Sequence, residues 1–472
     1  MSNWKKISDF IIFSTKGITP KYVENSSIIV LNQKCIRNGI IDYTMSQFTD
    51  DTKQVSEIKF VKRGDILINS TGTGTAGRCA FVDELPTNKK LITDSHILLL
   101  RCNSYFEARC LSYLLFSFEN TLMSFMTGSS GQGELDKVAV LNLLTKLPEA
   151  DDTQKKIAKV LSDLDAKIEL NNKINTELEA MAKTLYDYWF VQFDFPDVNG
   201  KPYISSGGKM VWNKELKREI PEGWEVDTLS SYIKNDKSGD WGKEQEEGNY
   251  NQKVYCVRGA DINGLNGKGE LKTPERYILE KNLFKTLDPY DLIVEISGGS
   301  PVQSTGRLAY ITEETLHRFD APIICSNFCK AVTLQSKYYF YNFVFQWNSI
   351  YNAGVLFGYE GKTSGIKNLL FESFVSTHYT AIPPIELAEK FYDFLKPIQI
   401  KKEKNLKENQ ELASLRDWLL PMLMNGQVTV GDEKNIDDRE KQAIKNIRKF
   451  TGYLSDKETL IKVAEKREEY GK

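Results

Sequence analysis

The sequence predicts an α+β chain in which two similar mixed α/β domains are joined by two long antiparallel coiled-coil helices in a pseudo-twofold tandem repeat. Three observations predict it. The halves of the 472-residue chain carry the same motifs in the same order. Each half ends in a long stretch of apolar residues at helical spacing, and short apolar, β-like runs separated by Gly-rich turns precede each stretch.

The repeat has an offset of about 225 to 235 residues. "IIVLNQKCIRNGII" (28–41) faces "KVYCVRGADINGLN" (253–266), and "GDILINSTGTGTAGRCAFV" faces "YDLIVEISGGSPVQSTGRLAYI". Asp65 then matches Asp291, and Gly77-Arg78 matches Gly306-Arg307. Further on, "GSSGQGELDKVAVLNLLTKLP" faces "GKTSGIKNLLFESFVSTHYTAIP". The first domain is expected over 1–150 and the second over 226–382.

In the first helical stretch, 151–190, Ile157, Leu161, Leu164, Ile168, Asn171, Asn175, Leu178, Ala182, Leu185 and Trp189 alternate by three and four. That is the seam of a coiled coil. In the second, 383–427, the equivalent positions are Phe391, Leu395, Ile398, Lys402, Asn405, Asn409, Leu412, Arg416, Leu419 and Leu423. Both copies carry two successive asparagines. An antiparallel pairing puts Asn171 opposite Asn409, Asn175 opposite Asn405, Ile157 near Leu423 and Trp189 near Phe391. Polar seam residues pair best with one another, so they can fix register. Pro397 should kink the second helix near its start. The stretch 191–225 lacks periodicity and reads as an ordered connector. The charged tail, 428–472, has an amphipathic helical trace in Ile444, Ile447, Leu460 and Ile461 and no counterpart in the repeat.

Composition narrows the function. With 41% hydrophobic and 11% aromatic residues the chain can build sizeable cores. No apolar run reaches the eighteen or so residues that span a bilayer, and "MSNWKKISDF" has no secretory apolar stretch, so the expected location is cytoplasmic. Seven cysteines make no disulfide framework, and although Cys325 and Cys329 alone are spaced as a possible metal pair, buried free thiols are the expected reading. The three histidines, His96, His317 and His378, lie far apart, which argues against a histidine metal or hydrolase site. The net charge of −2 gives no overall attraction to nucleic acid.

Gly72, Gly74 and Gly77 have the G-x-G-x-x-G spacing of a dinucleotide-binding loop, but that loop must open a helix whose N-terminus holds the pyrophosphate. Here a short β-like segment follows and runs into Pro86. A Gly/Thr-rich hairpin between two strands fits better.

The string "LPEADDTQKKIAKVLSDLDAKIELNNKINTELEAMAKTLYDYWF", the following "FDFPDVNGKPY" and "IPEGWEV" resemble the central conserved region of type I restriction-modification specificity subunits. "IPPIELAEKFYDFL" and "NLKENQELASLRDWLLPMLMNG" resemble the distal one. The resemblance implies a non-catalytic, DNA-binding subunit that reads a bipartite target, with one target recognition domain per half-site and the helices as spacer. It also implies two methyltransferase subunits and restriction/translocase subunits as partners. S-adenosylmethionine, ATP and magnesium are then expected on those partners, with no cofactor or metal in this chain.

On that reading the Gly-rich loops are the expected DNA contacts, because their amides, hydroxyls and guanidinium groups suit groove edges and phosphates. The first loop offers Asn69, Ser70, Thr71, Thr73, Thr75 and Arg78; its counterpart offers Ser297, Ser300, Gln303, Ser304 and Arg307. The aligned pair Gln33 and Arg258, with Arg37 and Asn38, joins them, as do Ser129, Ser130 and Gln132 in one half and Lys362, Thr363 and Lys367 in the other. Lys16, Thr19, Lys21 and Tyr22 form a further loop. Residues 1–148 hold 17 basic and 14 acidic side chains and residues 226–382 hold 16 and 18, so neither domain is basic enough to hold DNA by phosphate neutralisation alone.

Two other classes compete. A DNA-acting enzyme would need a [DN]-P-P-[YF] tetrad or a metal-binding acidic cluster; Asp288-Pro289-Tyr290 lacks the second proline, and Glu215-Leu216-Lys217 lacks an acidic partner. A coiled-coil scaffold whose β modules bind protein or glycan stays open on composition.

Overall fold

A computed structural model describes residues 4–37, 39–52, 55–72, 74–86, 89–128, 133–269, 271–300, 302–363, 366–431 and 460–462. The chain divides into two compact units, Met1–Ile168 with Glu411–Lys472, and Glu169–Gln410. The two long helices, Asp151–Tyr186 and Ile385–Asn425, each contribute to both units.

The β-rich parts of the units have one topology. In the first, a four-stranded antiparallel sheet runs in the order Ile11–Lys16, Ile97–Cys102, Ile66–Asn69, Cys79–Phe81. In the second the order is Ile233–Ser238, Cys329–Leu334, Asp291–Glu295, Leu308–Tyr310. A smaller sheet accompanies each. Its central strand, Ile28–Leu31 or Tyr250–Val257, pairs parallel with Lys90–Thr93 or Ile323–Cys325 and antiparallel with Gln47–Thr49 or Glu275–Leu279. A 13-residue helix follows, Tyr105–Ser117 or Phe340–Asn352. The last strand of each module pairs with its first: Leu144–Thr145 with Lys5–Lys6, and Tyr379–Ile382 with Glu225–Thr228. The central strands are buried on both faces, which explains why they read as continuous apolar runs rather than as alternating patterns.

The helical seam is set by burial. In the first unit Ile157, Leu161 and Leu164 share a core with Leu412, Leu419 and Leu423. In the second, Ala182 and Trp189 share one with Phe391 and Leu395. The α-helix continues unbroken through Pro397, which lies on the exposed face, where the carbonyl that loses its donor can be hydrated.

Two expectations change. The stretch 191–225 contains an antiparallel hairpin, Met210–Asn213 with Arg218–Pro221, whose four-residue strands are too short to show a period. Leu460 and Ile461, read as helical, lie instead in a strand, Leu460–Lys462, paired with Thr429–Gly431. The alternation Val428-Thr429-Val430 buries both valines and supplies the strand partner. Ile444 and Ile447 lie outside the described residues.

Candidate nucleic-acid interface

The two Gly-rich loops are closed by the same hydrogen bonds. Asn69 exchanges backbone bonds with Gly77 and Arg78, each 2.9 Å, and Glu295 does so with Gly306 and Arg307, also 2.9 Å. Gly77 and Gly306 have φ of 84° and 96°. A Cβ on Gly306 would stand 2.3 Å from Leu356 Cδ1, and one on Gly77 would stand 3.0 Å from the Glu119 carbonyl oxygen. Both positions need glycine for conformation and for space.

The first loop is tied down from beneath. Asn69 and Ser70, expected at an open turn, are buried because Asn69 ends the central strand. Asn69 Nδ2 donates to the Gln33 carbonyl at 3.2 Å, and Gln33 Nε2 donates to the Thr71 carbonyl at 2.7 Å and reaches the Thr71 hydroxyl. The Thr75 hydroxyl donates to the same carbonyl at 3.1 Å. Thr71 Oγ1 also lies 2.9 Å from His96 Nδ1. Gln33, Asn69, Thr71 and His96 thus form one network. Arg37 is exposed on the short strand Ile36–Arg37, and Arg78 is only loosely held, 3.7 Å from Glu119. Asn38, Thr73, Ser129, Ser130 and Gln132 lie outside the described residues.

In the second module the arginines are committed to carboxylates. Arg307 donates to both oxygens of Glu295, at 2.8 Å and 2.6 Å, and Glu295 is 2% exposed. Arg258 donates to both oxygens of Asp261, at 2.8 Å and 3.1 Å, and to the Lys272 carbonyl at 2.7 Å. These hydrogen bonds raise both guanidinium pKa values above the ordinary range. Both guanidinium groups thus brace a carboxylate of their own module, an arrangement that spacing alone does not reveal. Ser297 Oγ donates to Asn368 Oδ1 at 2.5 Å, and Ser300 and Gln303 close a backbone turn around the exposed Val302. Ser304 is buried and its carbonyl accepts from the Tyr351 hydroxyl at 3.2 Å. Lys367 is paired with Glu360 at 3.0 Å. Lys362 and Thr363 belong to the strand Glu360–Thr363, with side chains outside the description. Of the remaining loop, Lys16 pairs with Glu134 at 2.5 Å and Lys21 with Asp50 at 3.0 Å, while Thr19 and Tyr22 are exposed.

The seam asparagines form a hydrogen-bonded ladder within the second unit. Asn171 Nδ2 donates to Asn409 Oδ1 at 2.9 Å and to Glu408 at 2.8 Å. Asn405 Nδ2 donates to Asn175 Oδ1 at 2.8 Å, and Asn175 Nδ2 to the Lys402 carbonyl at 3.3 Å. Trp189 meets Phe391 at a ring separation of 5.6 Å, so the numbers fall along one helix as they rise along the other, and the pair is antiparallel there. Beside the ladder, seam residue Lys402 lies 3.5 Å from Glu179, and buried Glu403 lies 3.2 Å from Arg318.

Cys325 and Cys329 are buried thiols, and burial pushes Cys329 up to about 12. Among the described residues no cluster of three or more His, Cys, Asp or Glu side chains could hold a metal, and no helix is long and apolar enough to cross a membrane.

Residues 1–180 match the family described as type I restriction modification DNA specificity domain. The MjaIX type I restriction enzyme specificity subunit of Methanocaldococcus jannaschii is 26% identical over 328 residues, 67% of this chain and 69% of that protein. The HindI specificity subunit of Haemophilus influenzae is 31% identical over 222 residues, 46% of each. The solved S subunit of a type I restriction-modification system from M. genitalium is 14% identical with a TM-score of 0.49, covering 89% of this chain and 96% of that one. The class is therefore that of proteins with a DNA specificity domain. Over these stretches the chain is similar to type I restriction enzyme specificity subunits.

Proposed function

We propose that this chain reads a bipartite duplex DNA sequence, one module per half-site, as the non-catalytic specificity subunit of a complex with two methyltransferase subunits and restriction/translocase subunits. The observation that carries the reading is the duplication of one topology with identically closed Gly-rich loops in each module. Two half-sites call for two readers of the same build, and their spacing must mirror that of the readers. The antiparallel helical pair, its register held by the Asn ladder, sets that spacing. With the module charges near balance, the modules read base edges and the partner subunits hold the phosphates.

The test is selection of binding sites from random duplexes by the chain assembled with its methyltransferase subunits. Two short conserved half-sites separated by a fixed gap are the expected result. Recovery of no sequence, or of a single uninterrupted site, overturns the reading. Methyl transfer or cleavage by the isolated chain, with S-adenosylmethionine or magnesium supplied, overturns its non-catalytic part.

A further inference from the structure

Two residues outside the expected contact set occupy the same place in the duplicated fold. His96 closes the turn between Lys90–Thr93 and Ile97–Cys102, and its carbonyl accepts the Ser70 N–H at 2.8 Å. Phe328 closes the turn between Ile323–Cys325 and Cys329–Leu334, and its carbonyl accepts the N–H groups of Ile296 and Ser297 at 2.9 Å and 3.1 Å. Each bond ties the turn to the first residues of a Gly-rich loop. Both side chains are exposed, Phe328 by 53%. A single exposed phenylalanine is unremarkable, but one that stands where the other module exposes a histidine, beside a loop closed in the same way, marks a position.

The chemistry at that position differs between the modules. The Thr71 hydroxyl, met on one side by Gln33 Nε2, lies 2.9 Å from His96 Nδ1, so that ring nitrogen is engaged within the module. With Nδ1 engaged, Nε2 is the ring nitrogen that can meet a base edge, as a donor in one tautomer and an acceptor in the other. His96 therefore presents a hydrogen-bonding ring nitrogen beside the first Gly-rich loop. Phe328 presents only an apolar ring.

We infer that this turn position reads a base in each half-site, His96 by a hydrogen bond between its Nε2 and a base edge and Phe328 by apolar contact with a thymine methyl. The inference rests on the DNA-reading function proposed above and goes beyond it in naming the residues and the base chemistry.

The experiment compares the assembled methyltransferase carrying the wild-type chain, His96→Ala, Phe328→Ala or Phe328→Leu, each selecting from random duplexes. His96→Ala relaxes one base position in one half-site, with discrimination there falling about 5- to 150-fold, and leaves the other half-site unchanged. Phe328→Ala relaxes a thymine position in the other half-site only, and Phe328→Leu, which keeps an apolar contact, retains most of that preference. If the wild-type complex selects a bipartite site and the alanine variants select the same site with the same preference, the inference is overturned and the DNA-reading function stands. Uniform weakening on all sequences also overturns it, since that is the signature of a phosphate contact. If the wild-type complex selects nothing, both fail together. Unchanged melting midpoints for these surface variants verify folding.

Discussion

Arg307 lies in a two-pronged hydrogen bond with Glu295, 2.6 Å and 2.8 Å long, beneath the second Gly-rich loop. Glu295 also fills the space that side chains on Gly259 and Gly298 would need, since a Cβ on either glycine would come within 3.0 Å of its carboxylate. Charge pair and loop are built together. Removing one partner leaves a buried charge uncompensated, so Arg307→Ala should destabilise the chain by about 3–5 kcal/mol, and the change Arg307→Met with Glu295→Leu by much less. Denaturant midpoints with a constant m-value check this.

Arg78 contrasts with Arg307. Its pair with Glu119 is 3.7 Å long and its side chain is 31% exposed, so its loss should cost at most about 1 kcal/mol of stability. In the assembled complex, Arg78→Ala should weaken recognition of one half-site by about 1–3 kcal/mol if the guanidinium reads a base edge. Equal loss on every sequence would assign it to the phosphates. Affinity for duplexes altered one position at a time distinguishes the two.

The bond from Asn405 to Asn175 gives a pair test in the coil. Asn405→Leu strands the buried Asn175 oxygen and should cost about 1–3 kcal/mol, whereas leucine at both positions should recover most of the loss. A double-mutant cycle measures the coupling; additive losses would mean that the two amides contribute independently.

If the ladder fixes a ruler, lengthening the coil should change the target. Seven residues inserted beside the asparagines in both helices keep the heptad and add about 10 Å at 1.5 Å per residue. With DNA rising about 3.4 Å per base pair, the preferred gap should grow by roughly three base pairs while the half-sites stay the same. An unchanged gap rules out the ruler.

His378 makes stability depend on mild acid. Burial pushes its pKa below the ordinary value of 6.5. The folded state therefore binds fewer protons than the unfolded state, so its contribution is complete above 6.5 and is lost as pH falls through 6.5 toward the lower folded value. Replacing His378 with Gln should flatten the stability profile over that interval, as followed by melting midpoints at fixed ionic strength.

The repeat and the seam were legible because both are written locally, one as motif order and the other as three-four spacing over five heptads. Even the asparagine pairing followed from that spacing and an antiparallel arrangement. The loops were legible as turns, but the partners of their side chains were not. Whether Arg258 and Arg307 point outward depends on Asp261 and Glu295, whose positions are set by strand packing that no short motif records. Phe328 and His96 escaped notice because the sequence around them, "TDSHI" and "CSNFC", has no residue in common at their shared position. The hairpin at 210–221 and the tail strand at 460–462 were hidden by brevity.

The pairing of Lys5–Lys6 with Leu144–Thr145, and of Glu225–Thr228 with Tyr379–Ile382, brings the two ends of each module together. A block whose ends meet can be cut out and replaced by another of the same build without moving its flanking chain, as in any tolerated domain insertion. Under the DNA-reading function proposed above, each module would then act as an interchangeable cartridge. A new cartridge in one socket should rewrite half of an address while the other half and the gap carry over unaltered, so that a small stock of cartridges yields a number of addresses that grows as the product of the two choices.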